Sequence, residues 1–161
     1  NSFSLGLNTA PDEIALRVSH PSGLRVVGAR IDVLDFELSP FDFVVYDAAG
    51  TAIRTISVPV HSAHNSAANV TFLPRDIPAN AAFRFAIRPT TAAMTIVFSH
   101  DFSLAQLMLL PGRGGAAFTY SQRTDAGAWT DVALRRPPIQ LHISHILEPA
   151  GGAGPASFPI Q

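Results

Sequence analysis

Short stretches of alternating apolar and polar residues follow one another along the chain, and turn-forming residues separate them. The first covers 14–18 and is followed by a turn at 20–23, which contains a proline and a glycine. In another, Ile56, Val58 and Val60 alternate with Ser57 and Pro59. A two-residue apolar period is typical of half-buried strands, and no long segment keeps the 3.6-residue period of an amphipathic helix. The pattern therefore predicts an all-β fold.

The spacing of these stretches predicts about ten strands in a β-sandwich or a β-barrel. A phase change between Val33 and Leu34 predicts a β-bulge, and Gly50 suits a hairpin turn that needs a positive φ. Segment 104–110 fits a strand or one to two helical turns capped by Ser103. The expected strands lie at 14–18, 24–38, 43–46, 55–60, 70–73, 83–88, 94–98, 118–123, 129–132 and 139–147, with a polar loop at 61–69.

The chain is long enough for one domain with its own core, since it has 161 residues. The predicted strands end at residue 147, and the remainder is mostly alanine, glycine and proline. Such a composition is typical of a linker or an exposed extension. We therefore expect a single β-sandwich domain at 1–147 and an extension at 148–161.

Composition excludes several classes of function. A net charge of −1 disfavours nucleic-acid binding, and no apolar run is long enough for membrane insertion. There is no cysteine, and all 11 basic residues are arginine, so thiol and lysine chemistry are excluded. The first residue is Asn1 rather than methionine, so we expect a processed or excised chain. We expect the protein to be located outside a cytoplasm, extracellular or in a virion.

A group of aromatic and polar residues around one predicted hairpin is the best candidate for a ligand site. Sugar-binding sandwiches offer an aromatic face to a pyranose, surrounded by side chains that hydrogen-bond its hydroxyls. Trp129, the only tryptophan, is the candidate platform, and its alternative role is a core or cap residue. The predicted ligand-binding residues are Tyr120, Arg123, Asp125, Trp129 and Asp131.

Strand alternation limits how many of these residues can meet. Trp129 and Asp131 are expected on one face of their strand, and Arg123 shares a face with Thr119 and Ser121. Tyr120 should then point away from Arg123. Only part of the group is therefore expected to converge.

No catalytic constellation emerges, and we expect a protein that is not an enzyme. Ser99, His100 and Asp101 have the residue types of a triad, but consecutive residues do not supply its geometry. A carboxylate pair for glycoside cleavage remains a minor alternative. Arg135 and Arg136 precede the last strand, either in a turn that bridges nearby acids or at a subunit interface.

Metal and cofactor sites are not expected either. His61 and His64 share a polar loop without a third ligand, and His142 and His145 should lie on opposite faces of a strand. A structural calcium ion is the minor alternative to a solvated acidic edge for one group of acids. That group comprises Asp32, Asp35, Glu37, Asp42 and Asp47.

Four segments together resemble a galactose-binding-like jelly-roll domain, found in predicted phage tail or fibre proteins and in secreted carbohydrate-binding proteins from metagenomes. They are DAAG at 47–50, IPANAAFRFAIRPT at 77–90, SQRTDAGAWTD at 121–131 and RRPPIQLHI at 135–143. The resemblance covers roughly residues 10–147. It implies a lectin-like, antiparallel β-sandwich of the jelly-roll type and carries over no binding residues.

Two functions are compatible with these observations. The leading hypothesis is a non-catalytic extracellular module that recognises a carbohydrate or cell-surface glycan. The alternative is a structural domain of a phage tail, fibre or other virion component, with homo-oligomers or virion subunits as partners. A third interpretation, an appended domain of a secreted hydrolase, makes the same binding prediction but requires a catalytic neighbour.

Overall fold

A computed structural model describes residues 2–7, 9–33, 40–59, 66–91, 94–97, 116–132 and 139–147. The described part of the chain contains strands and turns and no helix, so the predicted all-β class is confirmed. The strands are β1 (Ser2–Leu5), β2 (Glu13–Ser19), β3 (Leu24–Val33), β4 (Phe41–Tyr46), β5 (Ala52–Val58), β6 (Ser66–Ile77), β7 (Ala82–Pro89), β8 (Met94–Val97), β9 (Ala117–Arg123), β10 (Thr130–Val132) and β11 (Ile139–Ile146).

Two antiparallel sheets pack face to face and confirm the predicted β-sandwich. The six-stranded sheet has the order β10-β9-β2-β7-β4-β5, and the three-stranded sheet has the order β11-β3-β6. β1 and β8 form a separate two-stranded ribbon. Along the chain, β2 and β3, β3 and β4, β5 and β6, β6 and β7, and β10 and β11 lie in different large sheets. Connections that cross between the two sheets are typical of antiparallel β-sandwiches.

The largest differences from the sequence-based expectation concern β6 and β1. β6 begins at Ser66, so the predicted loop at 61–69 is wrong in its second half. Ser66 to Asn69 pair with the far end of β3. This pairing holds the segment in a β-strand although its own sequence does not favour one. β1 was not predicted. The expected bulge at Val33 and the segment 104–110 involve positions outside the described residues. The pairing of β3 with β6 does shift register between Val26 and Gly28, where the extra residues belong to β6.

Two glycines occupy turns where a side chain is disfavoured. Gly50 has a φ of 83° in the β4–β5 turn, as predicted for a hairpin. Gly23 has a φ of 87° in the crossing from β2 to β3. A Cβ on Gly23 would also lie 2.6 Å from the carbonyl oxygen of Ile77. The turn between the two sheets therefore depends on this glycine for both conformation and space.

The main core lies between the two sheets and is built from the apolar side of each strand. Phe43 of β4 is fully buried, and its ring centroid lies 6.3 Å from that of Phe72 in the opposite sheet and 6.3 Å from that of Phe85. Ile14, Ile31 and other β-branched residues fill the space around these rings. The rings of Phe43 and Phe72 thus connect the two layers at the centre of the domain.

The six-stranded sheet is also covered on part of its other face. Ala15, Val44, Tyr46 and Ala86 are buried there, on the face turned away from the three-stranded sheet, and Trp129 packs against them. A strand buried on both faces loses the alternation of apolar and polar residues. This explains the continuous apolar run from Phe43 to Tyr46 in β4.

Candidate functional site: the outer face of the six-stranded sheet

Charged and aromatic side chains gather on the outer face of the six-stranded sheet. Strand register determines their neighbours: Glu13 of β2 is opposite Arg123 of β9, and Arg17 of β2 is opposite Arg84 of β7. The small residue Ala15 lies between Glu13 and Arg17 on the same face and leaves room for longer side chains. We call the whole group the outer-face cluster: Glu13, Arg17, Tyr46, Arg84, Ser121, Arg123, Trp129 and Asp131.

The buried part of the cluster is a charged hydrogen-bond network around Glu13. This carboxylate is only 1% exposed, and Nη2 of Arg123 donates to its Oε1 over 2.6 Å. The Tyr46 hydroxyl donates to the same carboxylate, 2.8 Å from Oε2, and accepts from Arg123 over 2.7 Å. A buried carboxylate is tolerated when it is paired and hydrogen-bonded in this way. The network joins β2, β4 and β9.

The environment of Tyr46 changes its titration. Burial of the phenol raises its pKa to about 12, and the adjacent negative charge of Glu13 acts in the same direction. Tyr46 therefore stays protonated and keeps its O–H available to Glu13 well above neutral pH.

Trp129 lies over the small residues at the centre of the sheet. Its ring meets that of Tyr46 edge to face, with centroids 5.6 Å apart and an interplanar angle of 69°. The guanidinium carbon of Arg123 lies 4.6 Å from the indole centroid and that of Arg84 lies 5.4 Å from it. These are cation–π distances, so two positive charges lie against the indole. The ring is only partly buried.

Asp131 provides the counter-charge at the more exposed end of the cluster. Ser121 donates a hydrogen bond to its Oδ1. The same oxygen lies 3.5 Å from Nη2 of Arg84, and Oδ2 lies 3.7 Å from Nε of Arg17. Burial lowers the pKa of Arg84, although Asp131 opposes that effect.

Two buried donors of the cluster have no acceptor within the described residues: Nε of Arg123 and Nε1 of Trp129. Most buried donors in folded proteins are hydrogen-bonded, and an unmet one costs free energy. The cluster is therefore not fully satisfied by its own members.

The structure brings three of the five predicted site residues together. Arg123, Trp129 and Asp131 share the outer face, as strand alternation predicts. Tyr120 is 1% exposed in the main core, on the opposite face of β9, and cannot touch a ligand at the cluster. Asp125 lies in the β9–β10 turn, where its Oδ1 accepts hydrogen bonds from the backbone of Thr9 and Ala10. These contacts give Asp125 a structural role in fastening the segment before β2.

Sequence reasoning missed Glu13, Arg17, Tyr46 and Arg84. Each comes from a strand distant in the sequence from the 120–131 hairpin, so spacing along the chain carries no sign of their meeting. A weak signal exists in the unbroken apolar run that ends at Tyr46, which indicates cover on both faces of β4.

The other residues that the sequence singled out do not belong to the outer-face cluster or lie outside the described residues. Nη2 of Arg88 donates to Asp42 over 2.9 Å, and Asp47 accepts hydrogen bonds from backbone amides of the β4–β5 turn. Among the residues described, no group of three or more histidines or acids could hold a metal ion. The side chain of Asp32, as well as Asp35, Glu37, His61, His64, Ser99, His100, Asp101, Arg135, Arg136 and the 148–161 extension, lies outside the described residues.

The expectation that His142 and His145 lie on opposite faces is wrong. Register shifts flank Ile143, so His142 is opposite Gly28 and His145 is opposite Arg25, and both histidines are exposed. A bulge inserts one extra residue into a strand, so two residues that are three positions apart can then lie on the same face.

Comparison with known proteins yields no relative: no family model, curated protein or solved structure matches the chain. Among the described residues, no helix is long and apolar enough to span a membrane.

Proposed function

We propose that this domain is a non-catalytic extracellular module that binds a polysaccharide or a cell-surface glycan at the outer-face cluster. The observation that carries the proposal is the position of Trp129, which lies on the outside of the sandwich, partly exposed and beside charged hydrogen-bonding groups. An aromatic ring flanked by such groups can contact the apolar side of a pyranose and its hydroxyls together.

Two further features support a binding role for the cluster. The unmet donors on Arg123 and Trp129 are unusual for a purely structural network. Arg17 and Asp131 remain partly exposed, at 36% and 39%, beside the more buried residues. Polar groups at the rim of a half-buried aromatic residue are typical of a ligand-binding site.

The sole tryptophan makes the proposal directly testable. Titration with soluble polysaccharides should change the fluorescence of Trp129, because no other tryptophan contributes to the signal. Trp129→Ala should weaken binding at least about tenfold in affinity gel electrophoresis, as expected for a central aromatic contact.

Phe118→Ala is the matched control, since Phe118 is also a partly exposed aromatic residue, at 43%, but belongs to the apolar core side of β9. It should leave binding unchanged. Failure of the unmodified protein to bind any neutral or acidic polysaccharide would refute the proposal whatever the variants do.

An assembly role in a virion or filament is the second candidate. Leu73 is 77% exposed on β6, which is an edge strand of the three-stranded sheet. Exposed apolar residues on a sheet edge are a means of association between subunits. Light scattering separates the two: a stable trimer or larger species that Leu73→Ser dissociates supports assembly, and a strict monomer contradicts it.

A further inference from the structure

Two arginines of the outer-face cluster are direct cross-strand neighbours. Arg17 of β2 is paired with Arg84 of β7, and both point to the outer face. Like charges placed directly opposite each other in a sheet are destabilising unless a counter-charge lies nearby. Within the described residues, both arginines form their ion pairs with the same carboxylate, that of Asp131.

This shared pairing is loose. The two contacts with Asp131 are 3.7 Å and 3.5 Å long, whereas charge-assisted hydrogen bonds are about 2.7–2.9 Å. Other arginines of this protein pair closely: Arg123 with Glu13 over 2.6 Å and Arg88 with Asp42 over 2.9 Å. Two guanidinium groups that share one carboxylate leave one positive charge in excess at this position.

The excess charge lies beside the indole of Trp129. The guanidinium of Arg84 is 5.4 Å from the indole centroid, and it also contacts Ser121 and Asp131. Arg17 is the more exposed of the two arginines, at 36% against 16%. A sugar placed beside Trp129 would therefore present its substituents to Arg84 first and to Arg17 further out.

We propose that the glycan recognised here is acidic, with a carboxylate or sulfate group bound by Arg17 and Arg84 while its sugar ring contacts Trp129. This inference rests on the proposed function and adds the ligand class. Planar guanidinium groups suit oxyanions because they donate paired hydrogen bonds. The buried pair of Glu13 and Arg123 neutralises itself and does not change the charge balance at the surface.

The test compares polymers that share a sugar backbone and differ in charge. Dextran and dextran sulfate form one pair, and methyl-esterified polygalacturonate and polygalacturonate form the other, so sulfate and carboxylate are examined separately. Binding is followed by Trp129 fluorescence and by affinity gel electrophoresis. We expect at least one acidic polymer to bind about tenfold or more tightly than its neutral partner, with an affinity that falls as salt is raised.

Three variants assign the effect to the site. Arg17→Gln should weaken acidic binding at least about tenfold, because it removes a charged hydrogen-bond donor. Arg25→Gln is the matched control: Arg25 is similarly exposed but pairs with Asp76 on the three-stranded sheet. It should leave binding unchanged. Asp131→Asn should strengthen acidic binding, because it removes the competing carboxylate.

The outcomes are distinct. Tighter binding of the neutral polymers, or equal losses in Arg17→Gln and Arg25→Gln, would overturn the acidic assignment and leave the glycan-binding proposal standing. Absence of binding to all four polymers would overturn both.

Discussion

Ala126 occupies a backbone conformation that is unfavourable for its side chain. Its φ is 53°, and the preceding Asp125 has a φ of 49°, so both central residues of the turn at 124–127 are left-handed. The amide of Gly127 closes the turn on the carbonyl of Thr124 over 2.8 Å. Asparagine, aspartate and glycine tolerate this conformation, and alanine does not. The turn leads to Trp129, which lies over the sheet, so the unfavourable backbone conformation is located next to the candidate site.

Replacing Ala126 by glycine should therefore stabilise the domain. We expect the free energy of unfolding to rise by about 0.5–1 kcal/mol, because relief of the left-handed strain exceeds the added chain entropy of glycine. Urea unfolding measures this change. Ala48→Gly is the control, since Ala48 lies in the β4–β5 turn and is not among the positive-φ residues. It should lower stability by up to about 1 kcal/mol, and equal effects of the two substitutions would contradict the argument.

Tyr46 connects elements that lie far apart in the sequence. Its own strand is β4, and its hydroxyl reaches across the sheet to Glu13 of β2 and Arg123 of β9. Small residues between these strands, Ala15 and Ala86, make the crossing possible. The arrangement explains why a carboxylate can be buried on the outer face of a sheet, where strand alternation alone predicts an exposed charge.

This arrangement predicts a pH dependence of stability. Folding raises the pKa of Tyr46 from about 10 to about 12, so the unfolded chain loses this proton first as the pH rises. The stabilisation is complete below pH 10 and is lost as the pH approaches 12. Tyr46→Phe should be less stable than the unmodified protein at pH 8, and the difference should narrow between pH 10 and 12.

Denaturant unfolding at several pH values checks the prediction. A Tyr46→Phe variant whose free energy of unfolding keeps the pH dependence of the unmodified protein would show that Tyr46 is not the source of that dependence.

The two sheets depend on one central core for their association. Phe43 is fully buried and contacts both Phe72 of the opposite sheet and Phe85 of its own. The domain contains no cysteine, so disulfides do not hold the layers together. Apolar burial between the sheets is therefore the principal source of stability for the whole molecule.

Phe43→Ala should lower the free energy of unfolding by about 3–5 kcal/mol, because it leaves a cavity between the layers. Phe118→Ala should cost much less, since the Phe118 side chain is 43% exposed at the edge of the core. Urea unfolding of both variants provides the comparison. Similar losses at the two positions would mean that the central contact between sheets is not the main source of stability.

The strand pattern, the hairpin turn at Gly50 and the β-sandwich class follow from local signals. Alternation of apolar residues and turn-forming residues act over a few positions, so they can be read along the chain. The same alternation placed Arg123, Trp129 and Asp131 on one face and separated Tyr120 from them. These features are contained in short stretches of sequence because the physics that creates them is local.

Only the tertiary structure decided which residues form the candidate site. Glu13, Tyr46 and Arg123 meet because β2 pairs with both β7 and β9 while β4 pairs with β7, and no local pattern encodes that strand order. The register shifts on either side of Ile143 and the start of β6 at Ser66 also result from pairing with β3. Contacts between distant strands are selected by the packing of the whole sandwich. The pairing of Arg17 with Arg84, on which the proposed ligand class rests, is one of those contacts.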